Sequence, residues 1–144
     1  WDKTREPVNL PLKPWNESLA LNGATQMQHL RRLVESRPYL DRVPDQQMLV
    51  DARSAVAEHI QATRGRDYLF AYSAMGFPIS LSLGKISGEK LAAHWYNPRD
   101  GKATAFGTFD NRGVHTFVPP TQGQGQDWVL VLDDAAKNFN APGQ

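Results

Sequence analysis

Carboxylates, histidines and serines are the side chains from which this sequence could build a reaction centre, since it contains no cysteine. Hydrolytic acid–base work needs two carboxylates held within several ångströms of each other. Of the 15 acidic residues, six stand where a turn or cap would place them: Asp45, Asp67, Asp100, Asp110, Asp127 and Asp133. Their spacing shows no pairing beyond what solvation explains, so no catalytic residue is expected. His29, His59, His94 and His115 are far apart, and none forms an HxH or HExxH pattern. No metal site and no cofactor are therefore expected. Ser73, Ser80, Ser82 and Ser87 lack a GxSxG setting. Gly84-Lys85-Ile86-Ser87 lacks the glycine that a phosphate loop carries ahead of its Gly-Lys pair.

Aromatic residues give the one binding signal. A flat Trp or Tyr ring matches the apolar face of a sugar and costs little entropy to order. Trp95 and Tyr96 are adjacent on a predicted strand, so they point to opposite faces, and the expectation is that only one enters the core. If Trp95 is inside with Leu91 and Ala93, then His94 and Tyr96 are outside; the reverse assignment is equally open. Trp128 shares a face with Leu130 and Leu132 and is assigned to the core. His94, Trp95 and Tyr96 are thus candidate binding residues, with packing against another domain as the competing use.

The elements that must position these residues follow from periodicity. Composition is ordinary, with 40% hydrophobic and 22% charged residues in 144, enough for one core. A formal net charge of +1 argues against nucleic acid or an anionic membrane as partner. No run approaches the roughly eighteen apolar residues of a membrane span. The densest basic cluster, Arg31, Arg32, Arg37 and Arg42, fits a solvated helix face. Trp1-Asp2-Lys3 opens without a signal-like run or an initiator Met, which suggests a processed, tag-trimmed or partial chain.

Residues 1–22, with Pro7, Pro11 and Pro14, read as an extended loop. A helix is predicted over 23–36, with Asn22 as N-cap and Met27, Leu30, Leu33 and Val34 on its apolar face. Pro44 is placed at the first position of a short turn through Leu49. From about residue 55 the period becomes two. Strands are predicted at 56–63, 67–74, 79–83, 91–97, 103–109, 113–118 and 127–133, separated by glycine-bearing turns. The fold class expected is all-β: an antiparallel sandwich of about seven strands, preceded by a loop and helix. Strands 67–74 and 127–133 are apolar on both faces and should be central, with the helix or a neighbouring domain as the second cover. The tail beyond Asp134 is expected to fray.

Two groups of motifs carry a resemblance. Gly23-Ala24, Gln26-Met27, His29-Leu30, Leu33, Ser36-Arg37-Pro38-Tyr39 and Arg42-Val43-Pro44-Asp45-Gln46 resemble the last barrel helix and connector of a family of bacterial (β/α)8 glycoside hydrolases, which includes apiosidase-type enzymes. Arg5-Glu6-Pro7-Val8-Asn9 and Pro14-Trp15 look like the loop before that helix. Ala62-Thr63-Arg64-Gly65, Trp95-Tyr96-Asn97-Pro98-Arg99-Asp100-Gly101-Lys102, Phe117-Val118-Pro119-Pro120 and Asp127–Asp134 are similar to the domain that follows the barrel, often labelled a putative collagen-binding domain of a collagenase.

The resemblance implies that 1–54 is barrel-derived and that 55–144 is a C-terminal accessory domain without catalytic residues. It further implies a partner in the catalytic barrel and a secreted or periplasmic location. A polysaccharide, or collagen, is the alternative ligand. Trp1, Arg5, Glu6 and Trp15 would then border a substrate cleft, because the loop after a barrel's last strand lies on its active-site face. The Met27/Leu30/Leu33/Val34 face is expected to need a partner outside this chain, either the rest of the enzyme or a second copy.

Overall fold

The computed structural model describes residues 13–53 and 56–144. Two helices come first, α1 (Trp15–Ser18) and α2 (Asn22–Glu35). Residues 15–18 are thus helical rather than extended. Helix α2 begins one residue before its predicted start. Leu21, not Asn22, is its N-cap, because the Leu21 carbonyl accepts the first helical bonds from Ala24 and Thr25. Ser36 closes the helix by donating its hydroxyl to Leu33 O at 2.7 Å, and Pro38 blocks continuation.

Eight strands follow among the described residues: β1 (Val43–Pro44), β2 (Ile60–Arg64), β3 (Tyr68–Ser73), β4 (Ile79–Ser82), β5 (Lys90–Asn97), β6 (Lys102–Asp110), β7 (Val114–Phe117) and β8 (Trp128–Asp134). All pairings are antiparallel. One sheet has six strands in the order β1-β2-β3-β8-β5-β6, and the other pairs β4 with β7. The sandwich predicted from period-two patterning is therefore present. Strand β1 was not foreseen: Pro44 pairs with Thr63 at the sheet edge, where a missing N–H is tolerated. A 3-10 turn over Gln46–Met48 then delivers Met48 and Leu49 into the core. The predicted strand at 56–63 starts only at Ile60.

Burial on the two faces of the large sheet alternates as the sequence requires. Ile60, Ala62, Leu69, Ala71, Leu91, Ala93, Trp95, Leu130 and Leu132 face the β4–β7 sheet and its Ile79, Leu81 and Phe117. Tyr68, Phe70, Tyr96, Val129 and Val131 form a second cluster with Leu33 of α2. The chain's own helix thus covers the second face of the central strands. Burying a leucine side chain of this kind contributes about 1.5–3 kcal/mol. The expectation that the whole apolar stripe of α2 needs an outside partner is corrected for Leu33, which is buried, whereas Met27 and Leu30 stay 58% and 46% exposed. The tail is not frayed either. Ala135–Lys137 forms a 3-10 turn capped by Asp134, and Pro142 is buried.

Candidate interaction surface

Strand β5 carries the predicted binding residues, and its two covers decide their fate. Trp95 lies in the inter-sheet core, stacked on Phe106 (ring centroids 5.6 Å apart) and edge-on to Trp128 at 6.4 Å. Tyr96 lies on the opposite face beneath α2, where its hydroxyl donates to His29 O at 2.8 Å. Burial raises its pKa above the ordinary phenol value. Both rings are buried, so the expectation that only one enters the core is corrected: a strand covered on both sides can bury two consecutive aromatics. His94 shares the Tyr96 face and is half-buried, with its Nδ1 enclosed and without a hydrogen-bond partner. Burial holds its pKa below the usual imidazole value, the Asp133 charge opposing that shift and Arg37 adding to it. Trp128 is in the core, as expected. Trp1, Arg5 and Glu6 lie outside the described residues.

The joint between α2 and the sheet is held by arginines. Arg37 reaches Asp133 through two parallel bonds, Nε to Oδ1 and Nη2 to Oδ2, both at 2.7 Å. Two further donors meet Ser36 O at 2.7 Å and Asn140 O at 3.0 Å, and the guanidinium lies 4.6 Å from the Phe139 ring centre. Helix end, β8 and C-terminal tail are thereby tied to one buried charge pair. Arg42 packs 4.5 Å above the Phe70 ring centre and donates to Tyr68 Oη and Val34 O, while Tyr68 Oη donates to Pro38 O. The reading of the arginine cluster as one solvated face therefore holds for Arg31 and Arg32, which are exposed, and fails for Arg37 and Arg42. Asp133, read as a turn residue, is buried at the end of β8. A charged pair closing an otherwise apolar strand was the one available signal for it.

Further carboxylates are spent on structure. Asp45 binds both Arg64 and Lys85. Burial alone would raise its pKa, yet the hydrogen bonds from Lys85 and Arg64 hold it below the usual carboxylate range. Ser87 Oγ lies 2.6 Å from a carboxylate oxygen of Asp67 and 2.6 Å from one of Asp134, joining the ends of β3 and β8. The Ser87 hydrogen bond is the main cause that lowers the Asp134 pKa. A recess near Lys90 and Arg112 is floored by Asn111, whose amide is occupied by Ile86 O, Gly88 O and Gly84 N. Among the described residues no group of three or more His, Cys, Asp or Glu could hold a metal, and no helix is long and apolar enough to cross a membrane.

Among the exposed large apolar side chains, which also include Leu40, Val56, Val114 and Val118 elsewhere, one set sits on the helices. Trp15 and Leu19 are 66% and 65% exposed, one turn apart at α1, and Met27 and Leu30 continue the pattern on α2. Exposed apolar side chains mark a contact surface when they are neighbours, as Trp15/Leu19 and Met27/Leu30 are at a spacing of one helical turn.

A family model described as "Putative collagen-binding domain of a collagenase" matches residues 43–133. The chain belongs to this family. Among solved structures it is similar to a "Glycoside hydrolase" at 37% identity and TM-score 0.83, over 90% of this chain and 29% of that one. It is also similar to a glycoside hydrolase family 5 protein from Bacteroides vulgatus at 35% identity and TM-score 0.83, over 92% of this chain and 29% of that one. The chain therefore spans less than a third of the length of these relatives. No curated protein matches it. These findings agree with the resemblance read from the Trp95–Lys102 and Asp127–Asp134 motifs.

Proposed function

We propose that this chain is the non-catalytic C-terminal accessory part of a secreted or periplasmic glycoside hydrolase, packing against the catalytic barrel and stabilising it. In this reading 1–54 is the barrel-derived segment and 55–144 the accessory domain, with residues 43–49 already contributing to the latter's sheet and core. The observation that carries it is the division of labour on α2. Leu33 is committed to the β-domain, while Met27 and Leu30, with Trp15 and Leu19 of α1, are left for a partner. The relatives are larger chains of which this is under a third, and the missing remainder is the occupant that such a surface fits.

The alternative reading, a module that binds polysaccharide or collagen, draws on the family's description. It finds no exposed aromatic platform at Trp95 and Tyr96 to support it. The test uses the intact enzyme. Met27→Gln with Leu30→Gln is expected to lower the melting temperature of the catalytic part while leaving the fold of this chain intact. Unchanged melting of that variant, together with retention of the chain on pectic polysaccharide or fibrillar collagen, would overturn the accessory reading in favour of the binding module.

A further inference from the structure

The two edges of the six-stranded sheet are protected to different degrees. One ends in β1, two residues long and containing Pro44, which blunts pairing. The other ends in β6, nine residues without proline, whose outer row of backbone groups faces no other described strand. Residues 104–108 are all exposed, and 103–109 carry no charge. A long uncharged edge of this kind is a template for another strand.

Two independent features single out one register. Charges stand at the two ends of β6, Lys102 and Asp110. Antiparallel pairing of two β6 strands centred on Phe106 sets Lys102 of each copy opposite Asp110 of the other. The bulge in β6 has the same centre: Ala93 pairs with Gly107 and His94 with Ala105, leaving Phe106 without a partner in β5. In that register each bulge meets its own symmetry mate rather than a regular strand. Phe106, 37% exposed and stacked on Trp95, supplies an apolar contact at the centre. The present partners of the terminal charges, Asp100 for Lys102 and Lys90 and Arg112 for Asp110, form exposed ion pairs that are easily exchanged.

We propose that β6 is an interaction edge through which two copies of this chain pair antiparallel about a two-fold axis at Phe106. The contact is self-complementary, and the blunted β1 edge stops further growth, so the product is a closed dimer.

Sedimentation equilibrium of the chain over a wide concentration range tests this. A monomer–dimer equilibrium is expected. Phe106→Lys, which brings two cations together at the axis, is expected to leave only monomer. Lys102→Glu should shift the balance toward monomer by about tenfold, and adding Asp110→Lys should restore the dimer. Circular dichroism of each variant checks that the sandwich is retained. A chain that stays monomeric throughout, a dimer indifferent to Phe106→Lys, or a double variant as monomeric as Lys102→Glu would each overturn the proposal.

Discussion

On the inner face of the six-stranded sheet, contacts are aliphatic and aromatic throughout: Leu69, Leu91, Leu130 and Leu132 meet Ile79, Leu81 and Phe117 with almost no polar atoms involved. On the outer face the same strands carry Tyr68, Tyr96, His94 and Asp133, and the cover is α2 with the segment that follows it and the C-terminal tail. There the two fully buried tyrosines each keep a polar handle that meets the helical segment. Tyr96 reaches His29 O, Tyr68 reaches Pro38 O, and Asp133 holds Arg37. The inner face is a hydrophobic core whose cohesion is non-directional. The outer face is a joint, whose hydrogen bonds fix where and at what angle the helix lies. One sheet therefore supports both a permanent core and an oriented attachment.

The largest expected effect is on the joint's charge pair. Asp133→Ala leaves Arg37 buried and unpaired and should cost about 3–5 kcal/mol in urea denaturation. Replacing both partners with Arg37→Met and Asp133→Leu should recover much of that loss, because the remaining penalty of a stranded charge disappears. A core truncation on the other face, Leu130→Ala, should cost a comparable 2–5 kcal/mol or so but should not respond to any second change at the joint. If Asp133→Ala costs under about 1 kcal/mol, the joint is held by packing alone and the contrast between the faces collapses.

A smaller effect is expected at Tyr96→Phe, which removes one hydrogen bond to the helix and keeps the ring. About 0.5–1.5 kcal/mol should be lost, accompanied by faster amide exchange in α2 but not in β4 or β7. Uniform acceleration across both sheets would show that helix and sandwich open as one unit.

The smallest effect concerns pH. Burial depresses the His94 pKa, so the folded state binds fewer protons than the unfolded chain just below the ordinary histidine value. Its contribution is complete above about pH 6.5 and declines as the pH falls through the depressed folded value. Stability measured at about pH 7.5 and about pH 5.5 should differ less in His94→Leu than in the parent chain. An identical pH dependence in both would remove the histidine from the joint's energetics.

Much of this was legible in the sequence because it rests on local periodicity. Alternation in Ile79-Ser80-Leu81-Ser82 and the two-sided apolar runs of β3 and β8 specified strands and their depth. Asn97–Gly101 specified the hairpin between β5 and β6, and the 3.6-residue spacing of α2 specified a helix within one residue at each end. Other features were not legible, because they depend on partners far away in the chain. Pro44 has no local reason to be a strand; it becomes one because β2 offers an edge that tolerates a missing donor. Arg37 and Arg42 look like surface residues until Asp133, 96 positions from Arg37, is brought beneath one and Phe70 beneath the other.

Trp95 and Tyr96 show the division most clearly. By itself the sequence determined that they point to opposite faces, since that follows from backbone geometry alone. Whether either face would be wet was decided by the tertiary structure, because burial depends on what packs across the sheet. A helix some sixty residues upstream and a sheet built from β4 and β7 closed both sides.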